Sequence, residues 1–173
     1  MVSYHGYWQY ENIIQAEPIK QKAVCHISSN TISGYIHTHP GYQLFGWMIK
    51  LAEMELKMGN EQFDQTLFLV NDENLRKQFG NDEFFINMDK HQAIHILGAH
   101  LLNKKIHKKT LESQRLTKLF TKNQQVELMF LNNYGDITIN NIAHLVEADI
   151  RLQNGVIHIV DRLLCGVPPP RVG

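Results

Sequence analysis

An α+β domain is the fold class this sequence predicts, and three observations predict it. Apolar residues recur at three- and four-residue steps in the first half of the chain. They alternate with polar residues in the second half, and a short continuous apolar run, TLFLV at 66–70, stands among the helical segments. The length of 173 residues suits one domain with a terminal extension. Hydrophobic residues make up 43% and charged residues 20%, enough apolar material for a packed core and too little charge for a disordered chain.

The elements follow in order. Residues 1–37, rich in Tyr, His and Ser, read as an extension wrapped on the domain, with one alternating segment, Ala23–Ile27, of strand character. After Pro40 and Gly41, the residues Leu44, Phe45, Met48, Ile49, Leu51, Ala52 and Leu56 share one helical face, and Gly59 with Asn60 stops that helix. Thr66–Val70 predicts a buried strand, and Asn71 or Asp72 then caps a short helix ending at Phe79 and Gly80. Asp89 caps a further helix carrying Ala93, Ile94 and Leu97, which Gly98 interrupts before the apolar Leu101 and Leu102. Beyond it the period is two: Val126, Leu128 and Phe130 alternate, Asn132–Gly135 turns, Ile137 and Ile139 alternate, and Ile142–Leu164 is strand material about an Asn154-Gly155 turn. The C-terminal half therefore predicts an antiparallel meander, closed by a Pro168–Pro170 tail at 167–173.

Charge narrows the function classes. Seventeen Lys plus Arg balance seventeen Asp plus Glu, which leaves no whole-molecule field for nucleic acid or an anionic membrane. No stretch has the ~18 continuous apolar residues of a membrane span, and the N-terminal residues lack a basic segment followed by an apolar run. Cys25 and Cys165 stand in no metal-ligand spacing; one bridge between the chain ends stays open, and a buried unpaired thiol is the favoured reading. Oligomeric state has no signature in the sequence.

His37, Thr38, His39 and Pro40 make the sharpest local motif, because two imidazoles one residue apart on an extended segment can reach one metal ion. The same letters open the zinc site of JAMM-type metalloproteases, whose pattern continues with a Ser and an Asp; Met48 and Leu51 occupy those places here. Without the carboxylate ligand, a surface loop holding two histidines is the expected reading. His91 and His95 lie four apart on a helix with no Glu after the first, and read as solvent-facing. Cys25 and His26 are strand neighbours that point to opposite faces, and Asp82 with Glu83 read as helix N-terminal charges. No nucleophile elbow, phosphate loop, dinucleotide fingerprint or CxxC is present. Neither a catalytic site, a cofactor nor a metal is expected.

The stretch from Glu147 to Leu164, EADIRLQNGVIHIVDRLL, strongly resembles the closing motif of fasciclin domains: an Asp-Ile pair, an Asn-Gly turn, then Val-Ile-His and an Asp before two apolar residues. TLFLVNDENLRKQF, at 66–79, is similar to the family's first motif through Thr66, Phe68 and Phe79, with Val70-Asn71 where Ala-Pro is usual. The helix ending near His100 is similar to the middle Tyr-His motif, with Ala99 in place of Tyr. The resemblance implies a fasciclin-like fold over 38–166, a β-sandwich or sheet core with helices packed along one edge. It implies structural roles for Thr66, Phe68, Asn154, Gly155, His158 and Asp161, and Asn154-Gly155 supplies residues tolerant of positive φ where the chain turns. In matrix-type members the Asp-Ile pair and the Tyr-His region are associated with integrin recognition, which nominates Asp149, Ile150 and His100 as partner-binding residues. The implied function is a non-enzymatic adhesion or interaction module contacting a protein or glycan at a cell surface or in a matrix. The alternative is a carrier of a small apolar ligand between helices and sheet. Secreted or cell-surface localisation follows from the resemblance alone, and a cytoplasmic location stays open.

Overall fold

The computed structural model describes residues 28–60, 64–121 and 126–167. Ala23–Ile27, Cys25, His26 and the Pro168–Pro170 run lie outside the described residues. The helices and strands are α1 (Ile32–Thr38), α2 (Gln43–Leu51), α3 (Glu55–Met58), β1 (Gln65–Leu69), α4 (Asp72–Phe79), α5 (Glu83–Ile86), α6 (Lys90–His100), β2 (Leu101–Leu102), α7 (Lys108–Glu112), β3 (Leu116–Phe120), β4 (Glu127–Asn133), β5 (Asp136–Ile139), β6 (Ala143–Leu152) and β7 (Gly155–Val160).

One seven-stranded sheet carries the order β2-β1-β7-β6-β5-β4-β3. The C-terminal strands form the antiparallel meander, and β7 then runs parallel to β1. Both β1 and β7 are buried throughout, which explains their continuous apolar runs. In β4 and β5 burial falls on alternate residues, Leu128, Phe130, Ile137 and Ile139. Four strand steps separate β1 from β4, roughly 19 Å in a flat sheet. The Phe68 and Phe130 rings nevertheless stand 5.6 Å apart. The sheet is therefore folded over on itself, and the register shifts in β6 between Leu145 and Glu147 and between Glu147 and Ile150 supply the bend. Helix α2 packs on α1, α4 and α6 beside this double layer.

Caps set the helix limits. Thr31 accepts from Gly34 N–H at the start of α1, Asn71 accepts from Asn74 N–H at the start of α4, and Asp89 forms a capping box with Gln92 on α6. The α2 start is capped across the fold: the Asp72 carboxylate accepts from Gln43 and Leu44 N–H at 3.2 and 2.8 Å. Burial pushes that carboxyl up from its ordinary range, against the lowering effect of those two bonds.

Four expectations change. The helix after Pro40 ends at Leu51 and resumes as α3, because Glu53 takes φ +59° while Glu53 N–H and Met54 N–H bond back to Lys50 and Ile49 carbonyls. This is a Schellman closure with Glu in the position Gly usually holds, so no glycine marks it. Leu56 consequently faces solvent at 66% exposure, and Met58 takes the buried place. Helix α6 passes through Gly98 to His100, with Ile96 rather than Ile94 in the core. Residues 28–37, assigned to an extension, instead give α1, whose Ile32 and Ile36 join the core.

Candidate functional site

The motif residues of the C-terminal hairpin cross-link the fold. The Asn154 carbonyl oxygen accepts from Ile32 N–H at 2.9 Å, and its amide donates to Met58 O at 2.7 Å and Asn60 O at 3.2 Å. One buried side chain thus ties α1 and α3 to the turn before β7. Gly155 is required for space: its φ is not positive, but an added Cβ would collide with the backbone carbonyl of Gln65 in β1. The positive φ that these turn residues would tolerate falls instead on Asp149, +60°, within the β6 bulge.

His158 is fully buried and doubly bonded. Its Nε2–H donates to Ile106 O at 2.7 Å, and its Nδ1 accepts from Asp149 N–H at 3.1 Å. His100 is arranged the same way, with Nδ1–H donating to Phe68 O at 2.7 Å and Nε2 accepting from Leu164 N–H at 3.1 Å. Each imidazole is held neutral in one tautomer, since protonation would oppose a backbone N–H. Burial accordingly lowers both pKa values, that of His100 to about 4. Thr66 donates to Lys104 O at 2.6 Å and accepts from Ile106 N–H at 2.8 Å. Asp161 accepts from His144 N–H at 2.8 Å.

A different surface carries the exposed apolar side chains. Across β3 to β6 the side chains alternate between an inner row and an outer face. Leu119 and Leu128 lie inward, as do Phe130 and Ile139. The outer face presents Leu116 opposite Leu131, Lys118 opposite Met129 and Phe120 opposite Glu127. On β6, His144 pairs with Thr138 and extends this face, whereas the exposed Val146 lies in the β6 bulge, toward the opposite end of the sheet from Phe120. Phe120 and Val146 are 60% and 63% exposed. Apolar and charged side chains interleave on this face, with Lys118 between Leu116 and Phe120 and Glu127 opposite Phe120.

The Fasciclin domain family matches residues 41–166. This chain belongs to that family. A solved pair of FAS1 domains from the insect cell adhesion molecule Fasciclin I is similar to it in fold, with TM-score 0.68 and 22% identity over 79% of this chain and 51% of that one. The chain therefore spans about half the length of that structure. Among curated proteins none matches the sequence.

In this fasciclin domain the nominated partner-binding residues do not form one surface. His100 is fully buried with both ring nitrogens bonded, so no atom of it reaches a partner; the physical reason is its position between β1 and the Leu163-Leu164 segment. Asp149 is half-buried, and its carboxylate accepts from Lys108 N–H at 2.8 Å, capping α7 from a neighbouring strand. Ile150 packs partly against the core. His37 and His39 are not on an extended loop: His37 lies in α1 with its Nε2 2.7 Å from Glu55, while His39, the C-cap, stacks on Tyr35 at 3.7 Å. Their rings thus serve different partners. Cys165 is unpaired, and burial raises its thiol pKa to about 11. Among the described residues no helix is long and apolar enough to cross a membrane. The outer face was missed by sequence reasoning because LTKLF, at 116–120, has apolar residues of both parities, so alternation there does not separate inside from outside.

Proposed function

We propose that this fasciclin domain is a non-enzymatic adhesion module that contacts a protein or glycan at a cell surface or in a matrix. The outer face of β3 and β4 carries the reading: Leu116 and Phe120 are exposed there, with Lys118 between them and Glu127 opposite Phe120, a composition suited to a protein partner. Membership of an adhesion-related family supports it. Asp149 and Ile150 enter as scaffold residues that fix α7 and the β6 bend rather than as the principal contact. The carrier alternative requires an enclosed apolar cavity between helices and sheet.

The test is attachment of cells, and of matrix proteins, to immobilised domain. Wild type should bind, and the double variant Leu116→Ser, Phe120→Ser should lose binding at an unchanged melting temperature. Equal binding by the variant would move the contact elsewhere, and no binding by wild type would remove the adhesion reading.

A further inference from the structure

Whole-chain neutrality conceals a local excess of positive charge. Lys104, Lys105, Lys108 and Lys109 fall within six consecutive residues, interrupted only by Ile106 and His107. This segment links β2 to α7 and is held rigidly. Lys104 O and Ile106 N–H both bond Thr66, Ile106 O bonds His158, and Lys108 N–H bonds Asp149. The Ile106 side chain is buried, whereas Lys104, Lys105 and Lys109 are exposed and Lys108 is half-exposed. The segment also runs beside the end of β6. Lys108 meets Asp149 there, and Lys105 Nζ donates to Gln153 O at 3.4 Å, with the exposed Arg151 between those two anchors.

Asp64 lies 3.6 Å from Lys105, Glu112 3.8 Å from Lys108 and Asp149 3.8 Å from His107. Asp149 is half-buried and held by Lys108 N–H, whereas the Asp64 and Glu112 pairs are exposed and exchange readily for a stronger anion. Lys104, Lys109 and Arg151 make no ion pair among the described residues.

We infer that this pinned basic segment, with Arg151, is a binding site for a sulfated glycosaminoglycan. Lysine ammonium groups are compact point charges that suit the separate, permanently ionised sulfate esters of such a chain. A backbone already fixed at Thr66, His158 and Asp149 leaves only side chains to order on binding. Single-stranded nucleic acid is recognised through aromatic stacking platforms, and no Phe, Tyr or Trp occurs between Lys104 and Lys109. The choice of a glycan rests on the adhesion reading; the electrostatics of the site do not.

The experiment measures binding of a heparin oligosaccharide to the full chain by calorimetry across a salt series. Wild type should bind with an affinity that falls as salt rises, and N- and O-desulfated heparin should not bind. The triple variant Lys104→Glu, Lys109→Glu, Arg151→Glu should weaken binding by about tenfold or more, with its thermal melt unchanged. The single variant Lys104→Gln should give a smaller loss, and Lys77→Glu on α4 should give none. Failure of wild type to bind at low salt, equal binding by the triple variant, or equal competition by a DNA duplex of matched charge would overturn the assignment. Cell attachment measured on the same triple variant separates the two readings: attachment retained without heparin binding leaves the outer-face contact standing.

Discussion

The two ends of the folded sheet use their side chains in opposite ways. Around β1, β7 and α6 the buried polar residues Thr66, His100, Asn154 and His158 each bond the backbone of another element. Around β3 to β6 the exposed residues are instead the apolar Leu116 and Phe120 on β3 and, in the β6 bulge, Val146. A buried polar group without its partner costs ~1–3 kcal/mol, so the first set is pinned by structure. Exposed apolar groups contribute nothing comparable to folding, so the second set is free to serve recognition. The motif residues and the exposed apolar residues therefore occupy different places in this molecule.

The sharpest way to break that contrast is Gly155→Ala. The new methyl group would force β7 away from Gln65, and we expect a loss of about 4 kcal/mol or more, close to complete unfolding; urea denaturation checks it, and a near wild-type midpoint would refute the close approach. Acid should act on the same region. His100 has its folded pKa at about 4, below its ordinary 6.5, so the unfolded chain takes up the proton first. Its contribution is complete above pH 6.5 and is lost as pH falls toward 4, about 3 kcal/mol in all, with His158 acting in the same direction. A urea midpoint that stays level between pH 7 and 4 would contradict this.

Asn154→Ala leaves the amide of Ile32 and the carbonyl of Met58 without their partner and should cost about 2 to 3 kcal/mol. Its signature is loss of hydrogen-exchange protection in α1 and α3 together, and protection lost at the turn alone would argue against the cross-link. Asp149→Ala removes the α7 cap and places Ala at positive φ, for about 1 to 2 kcal/mol. Asp149→Asn, which keeps an acceptor and tolerates that backbone, should recover most of it. At the other end of the scale, Leu116→Ser with Phe120→Ser should shift stability by less than about 0.5 kcal/mol. A large drop in its melting temperature would mean that the outer face is packed rather than presented.

Much of the fold was legible because its signals are local. The β4–β5 and β6–β7 hairpins, the Asn71 and Asp89 caps and the buried strand at 66–70 all follow from neighbouring residues. The break at Glu53 was not legible, since its left-handed backbone carries no glycine and is accompanied by an ion pair with Lys90, thirty-seven positions away. The candidate surface was less legible still. Leu116 and Leu119 look alike in sequence, and only pairing with β4 shows which of them faces outward.

By itself the sequence determined the α+β class, the meander and the fasciclin motif, because periodicity and turn chemistry are properties of short stretches of chain. Only the tertiary structure decided that His100 is fully buried, that Gly155 is needed for space rather than for φ, and that the backbone of the lysine cluster at 104–109 is pinned by Thr66, His158 and Asp149. Burial and close approach depend on which distant segments meet, and a folded-over sheet brings Phe68 against Phe130 across sixty-one intervening positions.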